Sequence, residues 1–198
     1  MMNKFCRECG EIFRLKVRFE NLYTSVFLVL DGEAVVMVDC ATTDSDVNEV
    51  IAPALREMGQ NLRVTHLLLT HKHGDHAGGL KRMRELFPDL IVIDKAVDLS
   101  ENLEIYPMPG HTEDFVGLLD KRTGTLISGD GLQGDGVGKY RCSVVTKGGY
   151  AQTIEKIKRD KRVNNLLFSH EYEPWNENGA FGREAVEDCL AYCEKTIS

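Results

Sequence analysis

The chain has 198 residues, with 24 Lys and Arg against 31 Asp and Glu, a formal net charge of -7 and an isoelectric point near 5.4. That acidic balance argues against a broad nucleic-acid-binding face, while 42% hydrophobic and 28% charged residues are ordinary for a globular protein. No apolar run approaches the ~20 residues of a membrane span, and no continuous apolar stretch near the start suggests a secretion signal, so the expectation is one cytoplasmic domain over 1–198.

Taken in order, the first feature is Cys6-Arg7-Glu8-Cys9, a CxxC without a second CxxC to complete a zinc site. Cys189 and Cys193, four apart on a C-terminal helix, are the candidates to meet it; separate reduced thiols, with Cys40 and Cys142 also unpaired, are the competing expectation. Residues Ile12 to Glu20 alternate, with Phe13, Leu15, Val17 and Phe19 set against Arg14, Lys16, Arg18 and Glu20, which predicts a half-buried strand. Ser25 to Leu30, Asp31-Gly32 and Ala34 to Val38 read as a hairpin turned by the Asp-Gly pair. Its second strand ends at Asp39. Apolar residues at helical spacing over Asp44 to Met58 predict a helix stopped by Gly59, starting late or kinked at Pro53. Val64 to Leu69 reads as a buried strand, in which His66 is expected as a packed core or edge histidine.

The next stretch, Thr70-His71-Lys72-His73-Gly74-Asp75-His76, gathers three imidazoles and a carboxylate between that strand and an amphipathic stretch, Ala77 to Phe87. His71 and His73 alternate, so extended backbone puts both on one side, and Asp75 and His76 then turn into a helix start. Imidazole and carboxylate are the ligands that hold zinc or iron at catalytic sites without any thiolate. Further strands are expected at Leu90 to Ile93 and Leu103 to Met108, the latter running into Gly110-His111. A hairpin over Phe115 to Leu119, Lys121 to Gly124 and Thr125 to Ile127 delivers Asp130. Gly129 to Gly138 holds five glycines but neither the spacing nor the Lys-Ser/Thr of a phosphate loop, and reads as a mobile rim. A helix at Tyr150 to Asp160, a strand at Asn165 to Phe168 ending in His170, and a closing helix at Gly182 to Thr196 complete the chain. Tyr140, Arg141, Tyr172 and Trp175 are candidates for pocket lining or for ordinary packing.

The run His71-x-His73-x-Asp75-His76, with His111, Asp130 and His170 coming after it in order at strand ends, resembles the metallo-β-lactamase fold superfamily. The resemblance implies an α/β protein of αββα four-layer architecture, with mixed sheets flanked by helices. It implies two divalent ions, zinc first, with iron and manganese open: His71, His73 and His111 on one, Asp75, His76 and His170 on the other, and Asp130 bridging. Asp39 would orient the metal loop without ligating, unless it is simply a turn residue. The implied activity is a hydrolase using a metal-bridging hydroxide, with Asp75 and Asp130 as catalytic carboxylates. The implied partner is a small-molecule thioester, ester or lactone, with no nucleic acid and no membrane; oligomeric state stays open. The contexts are closest to short glyoxalase-II-like hydrolases. Two departures are Glu113-Asp114-Phe115 where those enzymes commonly have Pro-Gly-Ser, and only 28 residues after His170, too few for a glutathione-binding helical domain. The alternative on the same fold is a mononuclear iron persulfide dioxygenase. A flavodiiron protein would need a flavodoxin-like partner, and a secreted β-lactamase would generally lack the bridging Asp.

Overall fold

The structure, a computed structural model, describes residues 4–93, 99–133, 146–170 and 178–197. It is built of two compact units, Met1–Asp94 and Lys95–Ser198, each with its own mixed sheet.

The first unit's sheet takes its strands in sequence order: β1 (Cys6–Cys9), β2 (Ile12–Phe19), β3 (Leu22–Asp31), β4 (Ala34–Val38), β5 (His66–Leu68) and β6 (Ile91–Ile93). The β1 to β4 pairs are antiparallel, as expected of consecutive hairpins, and β4, β5 and β6 run parallel through helical crossovers. The alternation read in β2 decides its packing: Phe13, Leu15 and Val17 join Leu28, Met37 and Leu67 in one core cluster with Val47, Ile51, Leu55 and Met83 from the helices. The other face is less polar than the sequence suggests, because Arg14 is only 2% exposed, paired to Glu8 at 3.0 Å and lying over the Phe27 ring. β1 is an addition to the expected strands, and it carries the CxxC. The β3–β4 turn is Gly32-Glu33, one residue later than Asp31-Gly32, since Asp31 still pairs with Ala34.

The segment 44–58 is helical throughout, but in three parts. α1 (Asp44–Asp46) opens on a capping box, in which the Thr43 side chain accepts from the Asp46 amide and the Asp46 carboxylate accepts from Thr43. A π turn, Val47–Ile51, then leads into α2 (Ala52–Met58). The Ala52 amide donates to Val47, five residues back, just before Pro53. A proline has no amide to donate and its ring crowds the carbonyl four residues back; widening the preceding turn relieves both, so the helical run does not start late, and its irregularity falls just before Pro53.

The stretch expected as one amphipathic helix is two, α3 (Gly74–Ala77) and α4 (Leu80–Leu86), joined at Gly78-Gly79. A Cβ on Gly78 would overlap the Thr42 carbonyl, and one on Gly79 would overlap the Cys40 carbonyl and the Val47 side chain. The glycines therefore let the chain after the histidine loop lie against the backbone just beyond Asp39.

The second unit's sheet has the order β11-β10-β9-β8-β7, formed by β7 (Leu103–Pro107), β8 (Val116–Asp120), β9 (Thr125–Gly129), β10 (Asn165–Phe168) and β11 (Gly179–Phe181). β9 and β10 are parallel; the other neighbours are antiparallel. The short β11 is a second strand the sequence did not announce. α5 (Lys147–Arg159) and α6 (Arg183–Ile197) supply Tyr150, Ile154, Ile157, Val186 and Leu190 to a core with Tyr106, Leu119, Leu126 and Phe168. Arg183 ties α6 to the end of α5: its guanidinium donates to the carbonyls of Ile157, Lys158, Asp160 and Val163 at 2.7 to 3.3 Å. No described helix is long and apolar enough to cross a membrane.

Replacing Gly78 by Ala forces the Thr42 backbone to move, and such overpacking costs about 1 to 3 kcal/mol. The variant should melt several degrees below the wild type in a thermal unfolding scan. An unchanged midpoint would show that residues 40–42 yield freely.

Candidate metal centre

In the first unit the parallel pair β4 and β5 sends its two carboxyl ends out side by side, since Val38 sits opposite Leu68 and the Asp39 amide donates to Leu68. Asp39 comes directly after β4; Leu69, Thr70 and then the histidine loop come after β5. Asp39 is 1% exposed and takes the left-handed conformation, φ 62°, as does Ala41 at 60°. Non-glycine residues pay about 1 to 2 kcal/mol for that region, Asp somewhat less, so the two conformations are held by what they contact.

The contact is a carboxylate filled with donors. Asp39 accepts from the Thr70 amide (2.8 Å), from the Thr70 hydroxyl (2.8 Å and 3.0 Å to its two oxygens) and from His76 Nδ1 (2.7 Å). The Thr70 hydroxyl has one proton, given to Asp39, so toward His71 Nδ1 at 3.0 Å it accepts. Both His71 and His76 are thereby held with the proton on Nδ1 and the lone pair on Nε2, the tautomer a metal ligand needs. The rings gather: His71 lies 4.4 Å from His73 and 4.2 Å from His76, centre to centre, with His73 closing the extended stretch as the residue before α3. His71 and His76 are buried, His73 is half-buried, and Asp75 presents its carboxylate 3.4 Å from His76 Nε2. Cys40 supports the same loop, its thiol donating to the His76 carbonyl at 3.3 Å; burial first, then the Asp39 charge, pushes that thiol up to about 12, so it acts as a neutral donor.

His66 lies apart from this group, at the start of β5. Its Nδ1 is 2.9 Å from the Thr65 hydroxyl, and burial lowers its basicity. It is the packed histidine the sequence suggested.

In the second unit the parallel pair β9 and β10 repeats the device. Phe168 is in register with Gly129, so Asp130 and His170 leave the sheet at the same end. Gly129 at φ 53° turns the chain, and the Gly131 amide donates back to Ser128. His111 lies beyond β7 on a loop pinned by α5: Thr153 donates to Pro109 at 2.8 Å, and the Gly110 Cα sits against the Tyr150 ring at a φ of 150°, where any side chain would collide. His111, Asp130 and His170 are all at least 95% buried. The two oxygens of Asp130 serve different partners, Oδ1 lying 3.2 Å from His170 Nε2 and Oδ2 lying 3.7 Å from His111 Nε2.

These spacings suit metal ligands. Two atoms bound at ~2.0 to 2.1 Å to one tetrahedral ion stand about 3.3 Å apart, and each unit offers an imidazole-carboxylate pair close to that separation. The donor set, neutral imidazoles and carboxylates without thiolates, is that of catalytic zinc and of iron.

Each unit thus gathers its share of the seven residues singled out in the sequence. Thr70 was the residue missed; its signal was its position between the strand and the first histidine. Glu113 and Asp114 are exposed, with Asp114 held by the Thr112 hydroxyl. Cys189 and Cys193 are both buried in the second unit's core and donate to the Gln133 carbonyl. Gly134, Gly136 and Gly138 of the glycine-rich stretch lie outside the described residues, as do Tyr140, Arg141, Cys142, Tyr172 and Trp175.

Removing the Asp39 carboxylate keeps the candidate ligands His71 and His76 but frees the rotation of their rings. Asp39→Ala is expected to lower zinc affinity by about 10- to 100-fold, measured by competition with a chromophoric chelator. Wild-type affinity in a folded variant would reduce Asp39 to a turn residue.

Comparison with known proteins agrees with this geometry. Residues 20–99 match the family model of the metallo-β-lactamase superfamily. A hydroxyacylglutathione hydrolase from Thermosynechococcus vestitus is 26% identical over 201 residues, which cover 90% of this chain and 75% of that protein. An atrochrysone carboxyl ACP thioesterase from Pseudocercospora fijiensis is 28% identical over 129 residues, 57% of this chain and 38% of the relative. The chain spans less than two thirds of the length of several of the curated relatives it matches. Among solved structures, the metallo-β-lactamase FIM-1 from Pseudomonas aeruginosa, in its mono-zinc form, is similar with a TM-score of 0.76 at 16% identity, covering 100% of this chain and 97% of that one. The mixed α/β fold is that of the metallo-β-lactamases, and residues 20–99, which include His71, His73, Asp75 and His76, are similar to the metallo-β-lactamase superfamily.

Proposed function

We propose that the chain is a dinuclear metal-dependent hydrolase of a small-molecule thioester, with esters and lactones as the neighbouring substrate classes. Residues 1–198 would act as a single functional domain in the cytoplasm. His71, His73 and His111 would hold one ion, Asp75, His76 and His170 the other, and Asp130 both. The observation that carries this proposal is Asp130, whose two oxygens address two different imidazoles, as a carboxylate shared between two ions must. The names of the hydroxyacylglutathione hydrolase and the ACP thioesterase support a thioester over other acyl compounds.

Two bound ions supply a water of lowered pKa, from ~15.7 toward about 7, and a positive charge against the substrate carbonyl. The chain's own contribution is positional. Asp39 and Thr70 fix two imidazole tautomers, and burial of five ligand side chains keeps bulk water from competing for the same cations. Asp75 is the least buried carboxylate of the group, its side chain 15% exposed. It would accept the proton of an attacking water on its carboxylate and pass it to the departing thiolate.

Asp130→Asn keeps the shape and removes the shared charge. The variant should hold fewer ions per chain by elemental analysis and lose at least a hundredfold in thioester hydrolysis. Wild-type stoichiometry and turnover would overturn the bridging role. On wild-type protein stripped with a chelator and reloaded with zinc, thioester cleavage should return; a single iron per chain with oxygen uptake on a persulfide, and no hydrolysis, would place the protein in the redox class.

A further inference from the structure

Cys6 and Cys9 lie away from the histidine loop, and the fold gives them a relation that their sequence spacing does not. In a regular strand, residues three apart point to opposite faces with Cα atoms about 10 Å apart, beyond any disulfide. β1 is not regular. Cys6 is opposite Arg14, Arg7 opposite Phe13 and Cys9 opposite Ile12, so β1 spends one more residue than β2 between the same rungs. Glu8 is the extra residue of this β-bulge, and its carboxylate is anchored on the buried Arg14 guanidinium at 3.0 Å.

The bulge changes both the facing and the spacing of the pair. Directly opposed residues share a face, and Arg14 and Ile12 are two apart on β2; Cys6 and Cys9 therefore share a face as well. The bulge also draws the Cα atoms of the cysteines in from the ~10 Å of a regular strand toward the two-residue span of β2, about 6.6 Å, which lies at the upper end of the ~4.4 to 6.8 Å range of disulfides. The pair is accessible, with Cys6 exposed and Cys9 half-buried, and both are free thiols on the edge strand of the sheet. Cys9 precedes a turn at Gly10, φ 52°, which leaves the end of the strand room to adjust. A closed zinc site is a poor alternative, since among the described residues no convergent group of three His, Cys, Asp or Glu ligands includes either cysteine.

We propose that Cys6 and Cys9 form a redox-active dithiol, oxidised to an intrastrand disulfide by a small-molecule disulfide such as oxidised glutathione. One thiolate attacks the small disulfide, forming a mixed disulfide and expelling one thiol. The second cysteine's thiolate then attacks the protein sulfur of that adduct, forming the Cys6–Cys9 bond and expelling the second thiol. Two electrons and two protons pass from the dithiol to the oxidant. The second step is intramolecular, and the bulge brings the second thiol to the same face as the first, so the mixed disulfide is short-lived.

The test uses the full-length protein, reduced, then incubated with oxidised glutathione, with free thiols blocked and peptides mapped by mass spectrometry. The expected product is a 6–9 disulfide with loss of two hydrogens and no retained glutathione, reversed by a dithiol reductant. Cys6→Ser and Cys9→Ser should each instead retain one glutathione on the remaining cysteine. A stable glutathione adduct on the wild-type pair, a disulfide to a second chain, or unreacted thiols would each overturn the proposal. None of these readouts depends on metal or hydrolysis, so the result stands independently of the function proposed above.

Discussion

The carboxylate of Asp39 is the interaction on which the first unit's histidine loop depends. It is buried, acidic and set in a left-handed backbone conformation, an arrangement that would be costly were its oxygens not filled by the Thr70 amide and hydroxyl and by His76. Those same bonds fix which nitrogens of His71 and His76 carry protons. The loop around them is then locked from behind: Cys40 pairs with His76 by amide and thiol, and Gly78 and Gly79 let the chain pass against residues 40–42. One buried anion thus sets the histidine loop's backbone, its tautomers and the direction of its lone pairs.

The second unit reaches a comparable result by different means. Asp130 is aimed by a glycine turn at the end of β9, while the parallel register of β9 and β10 brings His170 to the same end. His111 comes from a loop clamped by α5 through Thr153, Gly110 and Tyr150. In both units candidate ligands leave the carboxyl ends of adjacent parallel strands, where side chains emerge together from a rigid sheet. The same logic that makes such ends ligand sites in open α/β sheets applies to each half here.

Much of this was legible in the sequence. The alternation of β2, the hairpin of β3 and β4, the strands leading to Asp39, His71, Asp130 and His170, and the closing helix are all carried by local pattern. What the pattern hid were effects of partners distant in sequence. Arg14 sits at a position that alternation assigns to solvent, yet Glu8 and Phe27 bury it. Pro53 announced a late start or a kink, and a π turn just before it takes up the proline instead. β1 was obscured by its bulge, which destroys period-two alternation, and β11 is three residues long, too short for a periodic signal. The role of Thr70 becomes visible only once Asp39 and His71 are known to flank its hydroxyl. Function divided in the same way: the ligand series pointed to the metallo-β-lactamase fold and a metal centre, whereas the proposed substrate class rests on the kinds of enzyme the chain resembles.

The measurement that tests the central claim most directly is a crystal structure of zinc-loaded protein with anomalous scattering recorded at the zinc edge. Two peaks are expected about 3.5 to 4 Å apart, with Asp130 between them, His71, His73 and His111 on one, and Asp75, His76 and His170 on the other. A single peak, or ions bound by the residues of one unit alone, would contradict the shared dinuclear centre.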